Sequence, residues 1–249
     1  MKVVRLAYFF PIVMLSLHIN QALANSYKTT VEYRHEYRDG TNKTSDRVKV
    51  YVDTGENIGF ELDARYGNAN PDQSFDSTYL DGSELTAFYY KPLSKNLTGL
   101  VGTALDVTSS GIVHVPFVRL NYKFDNGFRM QGRYKWKLSD FETVNNETGY
   151  SYRSKIQELD LWVGYNFSQL NVEYLNKLDF EYQLDLFKQM VNGALPEYDG
   201  KEYDTQHNIK IRYSINENWK PFFEIGNIKE DRYSDNRQTR YRIGVQYTW

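Results

Sequence analysis

Cysteine is absent from this chain of 249 residues. That removes disulfides, thiolate metal sites, iron–sulfur clusters and cysteine nucleophiles together. Apolar residues are also scarce, at 41% with a mean hydropathy of −0.66. Past the first two dozen residues no apolar run approaches the roughly 20 residues of a membrane-spanning helix, so a helical membrane protein is excluded. Charge of one sign is missing too: 30 basic residues stand against 32 acidic ones, a net −2. No global basic field points to nucleic acid. Phosphate-loop, zinc and calcium-loop spacings do not occur, so no cofactor and no metal is expected. What the chain does have is aromatic rings, 22 Tyr, 14 Phe and 4 Trp. That is far too many for a disordered polymer.

The first residues read as a leader. Lys2 and Arg5 give a positive start, Leu6 to Leu17 is mostly apolar, and Ala22-Leu23-Ala24 supplies a small-x-small cleavage pattern. Residues 1–24 are expected to be a cleaved signal peptide, and residues 25–249 a single domain.

Beyond the leader, helical periodicity is nearly absent and strict alternation recurs from end to end. Between residues 27 and 38 the odd positions are Tyr27, Thr29, Val31, Tyr33, His35 and Tyr37, and the even ones include Glu32, Arg34, Glu36 and Arg38. Between residues 128 and 138, Phe128, Met130, Tyr134, Trp136 and Leu138 alternate with Arg129, Gln131, Arg133, Lys135 and Lys137. The last segment sets Tyr241, Ile243, Val245, Tyr247 and Trp249 against Arg240, Arg242, Gln246 and Thr248. Such alternation is a strand with one face in each of two environments. The segments are long for a soluble sandwich, and their apolar faces begin or end in aromatic rings, as where a lipid band meets water. The expected fold is all-β: an antiparallel transmembrane β-barrel of the bacterial outer membrane, with about twelve strands.

Those strands are expected near residues 27–38, 46–53, 58–66, 79–90, 97–106, 112–124, 128–138, 152–167, 170–186, 202–215, 219–228 and 237–249. Short turns at residues 54–57, 92–96, 125–127, 168–169 and 216–218 alternate with longer polar connections at 39–45, 67–78, 139–151 and 188–201. Short turns at one end and long loops at the other are the layout of an outer-membrane barrel.

If the rings and aliphatics face lipid, the opposite face lines a lumen. Its basic side chains would include Arg34, Arg38, Arg47, Lys49, Arg65, Arg119, Lys123, Arg129, Arg133, Lys135, Lys137, Lys210, Arg212, Arg240 and Arg242. The sixth and seventh strands supply bases without an inward acid. The eighth and ninth supply Glu158, Asp160, Glu173, Asp179, Glu181 and Asp185 against Lys177. Basic ladders facing an acidic stretch would give a transverse field that orients a polar solute. Guanidinium groups suit carboxylates, and inward Tyr51, Tyr90 and Trp162 offer flat surfaces to sugar rings. The competing reading of the same charges is a lumen plugged by internal salt bridges.

Catalysis has little to stand on. His35, His114 and His207 fall on the face assigned to lipid or to the interface. Asp204 and His207, three apart on a strand, face opposite sides, and the pair Glu61 and Asp63 is explained by alternation alone. No enzyme is expected. Glycosylation-like triplets at Asn42, Asn96 and Asn146 have no meaning in a bacterial outer membrane.

The stretches that carry the alternation also carry a resemblance. Tyr33-Arg34-His35-Glu36-Tyr37 followed by Asp46-Arg47-Val48-Lys49-Val50 resembles the opening of the oligogalacturonate-specific porin family, the KdgM-, NanC- and OmpL-like outer-membrane channels. The segment from Phe117 to Phe124, Arg133-Tyr134-Lys135-Trp136-Lys137, the turn from Tyr213 to Trp219 and the closing Tyr241-Arg242-Ile243-Gly244-Val245 are similar to later parts of that family. The resemblance implies a monomeric twelve-stranded channel for acidic oligosaccharides or sugar acids, with Arg47, Lys49, Arg119, Arg133, Lys137 and Arg242 along the pore. It also implies that Trp249 is the terminal aromatic presented to the outer-membrane assembly machinery. The acidity of the eighth and ninth strands departs from the family pattern and leaves room for neutral or other charged sugars. The function expected is a sugar-transport porin that also passes ions. The alternative is a closed structural or adhesive barrel that binds through long loops at residues 70–77 and 144–150.

Overall fold

The computed structural model describes residues 27–68, 78–170 and 172–249. The expected leader at residues 1–24 and the loop at 70–77 lie outside the described residues. Twelve strands form one sheet: β1 (Lys28–Arg38), β2 (Lys43–Asp53), β3 (Ile58–Asn68), β4 (Thr78–Pro92), β5 (Leu97–Thr108), β6 (Gly111–Lys123), β7 (Phe128–Asn145), β8 (Tyr150–Asn166), β9 (Leu178–Gln189), β10 (Tyr203–Tyr213), β11 (Trp219–Lys229) and β12 (Arg237–Thr248). Each pairs antiparallel with its sequence neighbour, and β12 returns to β1, from Thr30 opposite Thr248 to Arg38 opposite Arg240. Closure leaves no row of unpaired N–H and C=O groups at a sheet edge, the requirement that lipid imposes on any spanning sheet.

Alternation decides the faces as expected. Leu62, Val101, Leu120 and Ile243, all half or more exposed, point outward, while Asp160, Glu224 and Glu36 on the opposite face are 1%, 3% and 4% exposed. The usual relation of a soluble protein is inverted: hydrocarbon is outside and charge inside. Rings gather on the outer face at the end that carries both termini. There Tyr122 lies 4.6 Å from Phe124, Tyr165 4.8 Å from Phe167, and Trp219 4.7 Å from Tyr247. Amphipathic rings of this kind favour the boundary between hydrocarbon and water.

Three sequence expectations are corrected. The connection between β8 and β9 is not the two-residue turn at 168–169. It runs from residue 167 to 177 through two single 3-10 turns. Residues 170–174 alternate like a strand, but Tyr174 has φ of 69°, a left-handed conformation in which a strand cannot continue. Glu173 and Lys177, expected inside the lumen, are therefore exposed in this connection. Second, the long-loop end is shorter than expected. Strands β7 and β8 run on to a four-residue turn at 146–149, and β1 and β2 meet across residues 39–42. A register shift in β7 between Leu138 and Glu142 hides that extension from a strict two-residue pattern. Little loop remains at 144–150 for an adhesive role. Third, β5 and β6 are joined through residues 109–110 alone.

A long connection at that end, residues 190–202, is anchored. Lys229 Nζ lies 3.1 Å from Glu197 Oε2 and 3.7 Å from Asp204, and Arg237 donates to Asp204 at 2.7 Å. Arg232 reaches the Pro196 carbonyl at 2.8 Å, and the Tyr152 hydroxyl accepts from the Leu195 N–H at 3.0 Å. Glu197 and Asp204 are 5% and 2% exposed, so their charges are matched within the protein.

Candidate functional site: the charged lumen

The inward charges meet first on adjacent strands. Arg133 of β7 donates to Asp160 of β8 at 2.8 Å, Lys135 lies 2.6 Å from Glu158 and 3.0 Å from Asp160, and Lys137 lies 2.6 Å from Glu158. On the other wall Lys49 meets Glu61 at 2.6 Å and Arg47 meets Asp63. Arg242 binds Glu36 at 2.7 Å and also Glu224, and Lys210 adds a contact to Glu224 at 3.0 Å. Side chains opposite one another on paired strands are about 5 Å apart, and Coulomb attraction falls with distance. A base on β7 therefore finds its acid on β8. This overturns the expected field between a basic wall and an acidic wall, because the two charge types stand next to each other.

Some pairs span two strands, which needs a gap between them. Arg129 of β7 crosses β8 to reach Asp179 and Glu181 of β9, the latter at 2.9 Å. It does so over Gly164, where a Cβ would fall 2.5 Å from the guanidinium carbon. Arg212 of β10 closes the same cluster, 2.7 Å from Glu181. Arg240 of β12 likewise passes Gly226 to donate to Asn208 of β10 at 2.6 Å, with Glu36 at 4.0 Å. Arg65 of β3 reaches Asp106 of β5 across β4.

Three expected pore cations have no carboxylate partner among the described residues. Arg119 donates to neutral oxygens, Asn121 Oδ1 at 2.8 Å and Gln131, and stacks over Trp162 with 5.1 Å to the ring centre. Arg34 is paired across the sheet with Arg47 and Gly244, and its buried Nε has no hydrogen-bond partner. Lys123 stands exposed at the rim of β6, at the end with the termini.

A cavity of about 410 Å³ is enclosed by side chains from β2 to β7, Arg119, Arg133, Lys135 and Lys137 on one side and Glu61, Glu84, Arg65 and Asp106 on the other. Its walls come from six consecutive strands, so it lies inside the barrel.

A family model described as oligogalacturonate-specific porin protein (KdgM) matches residues 22–249. The chain belongs to that porin family. It is 26% identical to the oligogalacturonate-specific porin KdgM of Dickeya dadantii over 232 residues, covering 90% of this chain and 93% of that one. It is 25% identical to the protein YiiY of Salmonella typhimurium over 239 residues, covering 94% and 96% of the two chains. Among solved structures, a NanC porin superposes with a TM-score of 0.73 at 18% identity, covering 87% of this chain and 98% of the other. A KdgM porin gives 0.61 at 22%, covering 88% and 99%. Those likenesses establish the twelve-stranded barrel of the family as the fold of this chain.

Within that porin barrel, sequence reasoning missed Asp106. The inward face of β5 reads Leu100, Gly102, Ala104 and Asp106 against outward Val101, Thr103, Leu105 and Val107. Both faces are small or apolar, so alternation carries no sign there. Asp204 and His207 do face opposite sides, and the acid–histidine contact that does occur was not anticipated. Asp204 turns to Arg237 and Lys229, whereas His35 Nδ1 lies 2.9 Å from Asp46, which also accepts from the Tyr33 hydroxyl at 2.6 Å. Pairing of β1 with β2 sets His35 opposite Asp46, a register that composition does not reveal.

Proposed function

We propose that the chain is an outer-membrane channel through which acidic oligosaccharides or sugar acids diffuse into the periplasm. After removal of residues 1–24 it would act as a monomer, with Trp249 as the terminal aromatic read by the assembly machinery. The observation that carries the reading is Arg119, a lumen guanidinium whose hydrogen-bond partners are amide oxygens rather than carboxylates. Arg34 and Lys123 extend the set of cations left to a passing anion. Arg47, Lys49, Arg129, Arg133, Lys135, Lys137, Arg212, Arg240 and Arg242 line the path with charges already partnered, which a solute carboxylate can share in passing. Family membership supports the solute class. The KdgM porin of Dickeya dadantii is described as oligogalacturonate-specific, and one solved KdgM porin is described as in complex with disordered oligogalacturonate. No chemical step is involved; the residues act through field and width.

The test is single-channel recording of the refolded protein in a planar bilayer under a potassium chloride gradient, followed by oligogalacturonate on one side. Stable conductance with anion preference, interrupted by the acidic sugar, is expected. Conductance without preference or block would discard the acidic solute and leave a porin for neutral sugars. Absence of conductance from a folded barrel would favour a closed structural barrel, a reading to which the dense ion pairing of β7 to β10 lends some weight.

A further inference from the structure

The mid-lumen cavity has one wall that a track for sugar acids does not call for. Phe88, Leu100, Ala104, Val115 and Phe117, from β4, β5 and β6, line it side by side. Ala104, Val115 and Phe117 are 3%, 4% and 6% exposed, packed against their neighbours, whereas Phe88 and Leu100 are part-exposed. The surface that Phe88 and Leu100 present to the lumen is apolar, and such surface facing water is unfavourable unless something covers it. The wall is also built deliberately into the backbone. Gly102 stands between the two phenylalanines, and a Cβ there would lie 2.6 Å from Phe88 Cβ and 2.7 Å from Phe117 Cζ. Gly59 on β3 makes room for the Phe88 ring in the same way, with 2.3 Å to Cζ, and Tyr51 stacks on that ring at 6.0 Å between centres.

At the edge of this wall two cations face each other. Arg119 and Arg133 are directly opposite across β6 and β7, a like-charge pairing that costs stability in a sheet. Both guanidinium groups lie over the Trp162 ring, at 5.1 and 5.3 Å from its centre, and Arg133 also lies 5.9 Å from the Phe117 ring. Arg133 has one carboxylate partner and Arg119 has none. A single carboxylate bridging the two would relieve their repulsion. On the far side Arg65 offsets Asp106 and Lys49 offsets Glu61, while Glu84 has no cation in contact among the described residues, only the Thr86 hydroxyl at 3.2 Å. A second negative charge on the solute would be repelled from that side.

We propose that this cavity binds a small monocarboxylate carried on an apolar, aromatic body, with the carboxylate between Arg119 and Arg133 and the ring against Phe88, Leu100 and Phe117. Such a site sets one apolar wall against a majority of polar and charged side chains, among which the two guanidinium groups converge. It is a solute class additional to acidic sugars and does not depend on their transport.

The experiment uses the full barrel and phenylpropanoate as the probe, with galacturonate as an equally charged polar acid and phenylpropanol as an uncharged control. Two readouts are taken: block of single-channel current in a bilayer, and quenching of Trp162 fluorescence in detergent, identified by its loss in Trp162→Phe. Phenylpropanoate is expected to half-saturate both at a concentration at least tenfold below galacturonate and below phenylpropanol. Phe88→Leu and Phe117→Leu, which keep apolar volume without the ring, are expected to weaken phenylpropanoate at least tenfold more than galacturonate. Arg119→Gln is expected to weaken both acids. Equal potency of the two acids, or phenylpropanoate binding indifferent to the ring variants, overturns the proposal. The fluorescence arm reads the cavity even in a barrel that conducts nothing, so failure of the sugar-channel reading and failure of this one are distinguishable.

Discussion

Asp160 holds two bases, Arg133 at 2.8 Å and Lys135 at 3.0 Å, while itself only 1% exposed. Replacing it with Asn keeps the shape and removes the charge, leaving the Arg133 guanidinium without a carboxylate while Lys135 keeps only Glu158. Asp160→Asn is expected to raise the anion-to-cation permeability ratio in reversal-potential measurements. Losing the charged acceptor is expected to cost about 1–3 kcal/mol in denaturant unfolding. Arg119→Gln should act in the opposite sense on transport. It removes a cation that no carboxylate contacts among the described residues, so anion preference should fall and the half-blocking concentration of oligogalacturonate should rise about tenfold, roughly 1.4 kcal/mol. Arg119 was legible in the sequence as an inward base. Its lack of an acidic partner was not, because that depends on Asn121 and Gln131 standing nearest to it in the pairing of β6 with β7.

Element by element, the strands follow alternation wherever their two faces differ in polarity, and depart from it where they do not. β5 has two weakly polar faces and concealed Asp106. The connection after β8 alternates without being a strand, because Tyr174 turns the chain. The seam between β1 and β12 depends on Gly244, where a Cβ would meet the Tyr33 carbonyl oxygen at 2.4 Å and the Phe222 ring at 2.5 Å. A backbone oxygen in a ladder cannot give way as a flexible side chain does. Gly244→Val is therefore expected to lower the yield of folded barrel, seen as loss of the heat-modifiable band in electrophoresis, while Gly132→Ala, whose Cβ would lie 3.6 Å from Leu161, should be tolerated. The 190–202 connection hangs on Glu197, Asp204 and Lys229. Glu197→Ala frees Lys229 and Arg232 from their shared acid, and faster cleavage within 190–202 by an external protease should follow, with little change in the protease resistance of the strands.

Over the whole molecule the question is the sign of the lumen. Nearest-neighbour pairing neutralises most inward charges locally, so the barrel is not divided into a basic half and an acidic half. Groups of both signs are left without an ion pair among the described residues, Arg34, Arg119 and Lys123 on one side and Glu32, Glu84 and Asp185 on the other, and the long-range field is correspondingly weak. Neutralising Arg129, Arg133 and Lys137 together, each to Gln, would leave Asp179 and Glu181 with Arg212 alone and Asp160 and Glu158 with Lys135 alone, so acids outnumber bases in both clusters. The triple variant is expected to change from anion to cation preference. An unchanged reversal potential would show that these side chains do not set ion selectivity.

Sequence alone determined the topology of this protein. A two-residue period over a dozen segments, aromatic rings at the ends of the apolar faces and the short turn at Asp125-Asn126-Gly127 leave a closed antiparallel barrel as the arrangement that satisfies both side-chain faces and the backbone. Which residues point inward followed from the same period, because successive side chains on a strand must face opposite ways. Partnership was decided only by tertiary structure. Whether Arg133 faces an acid or another base, whether Arg129 can cross a strand to Asp179, and whether Phe88 and Phe117 share a wall depend on register between strands and on gaps such as Gly164 and Gly102. Register is a property of pairs of segments, and a period read along one segment contains no information about its neighbour's offset.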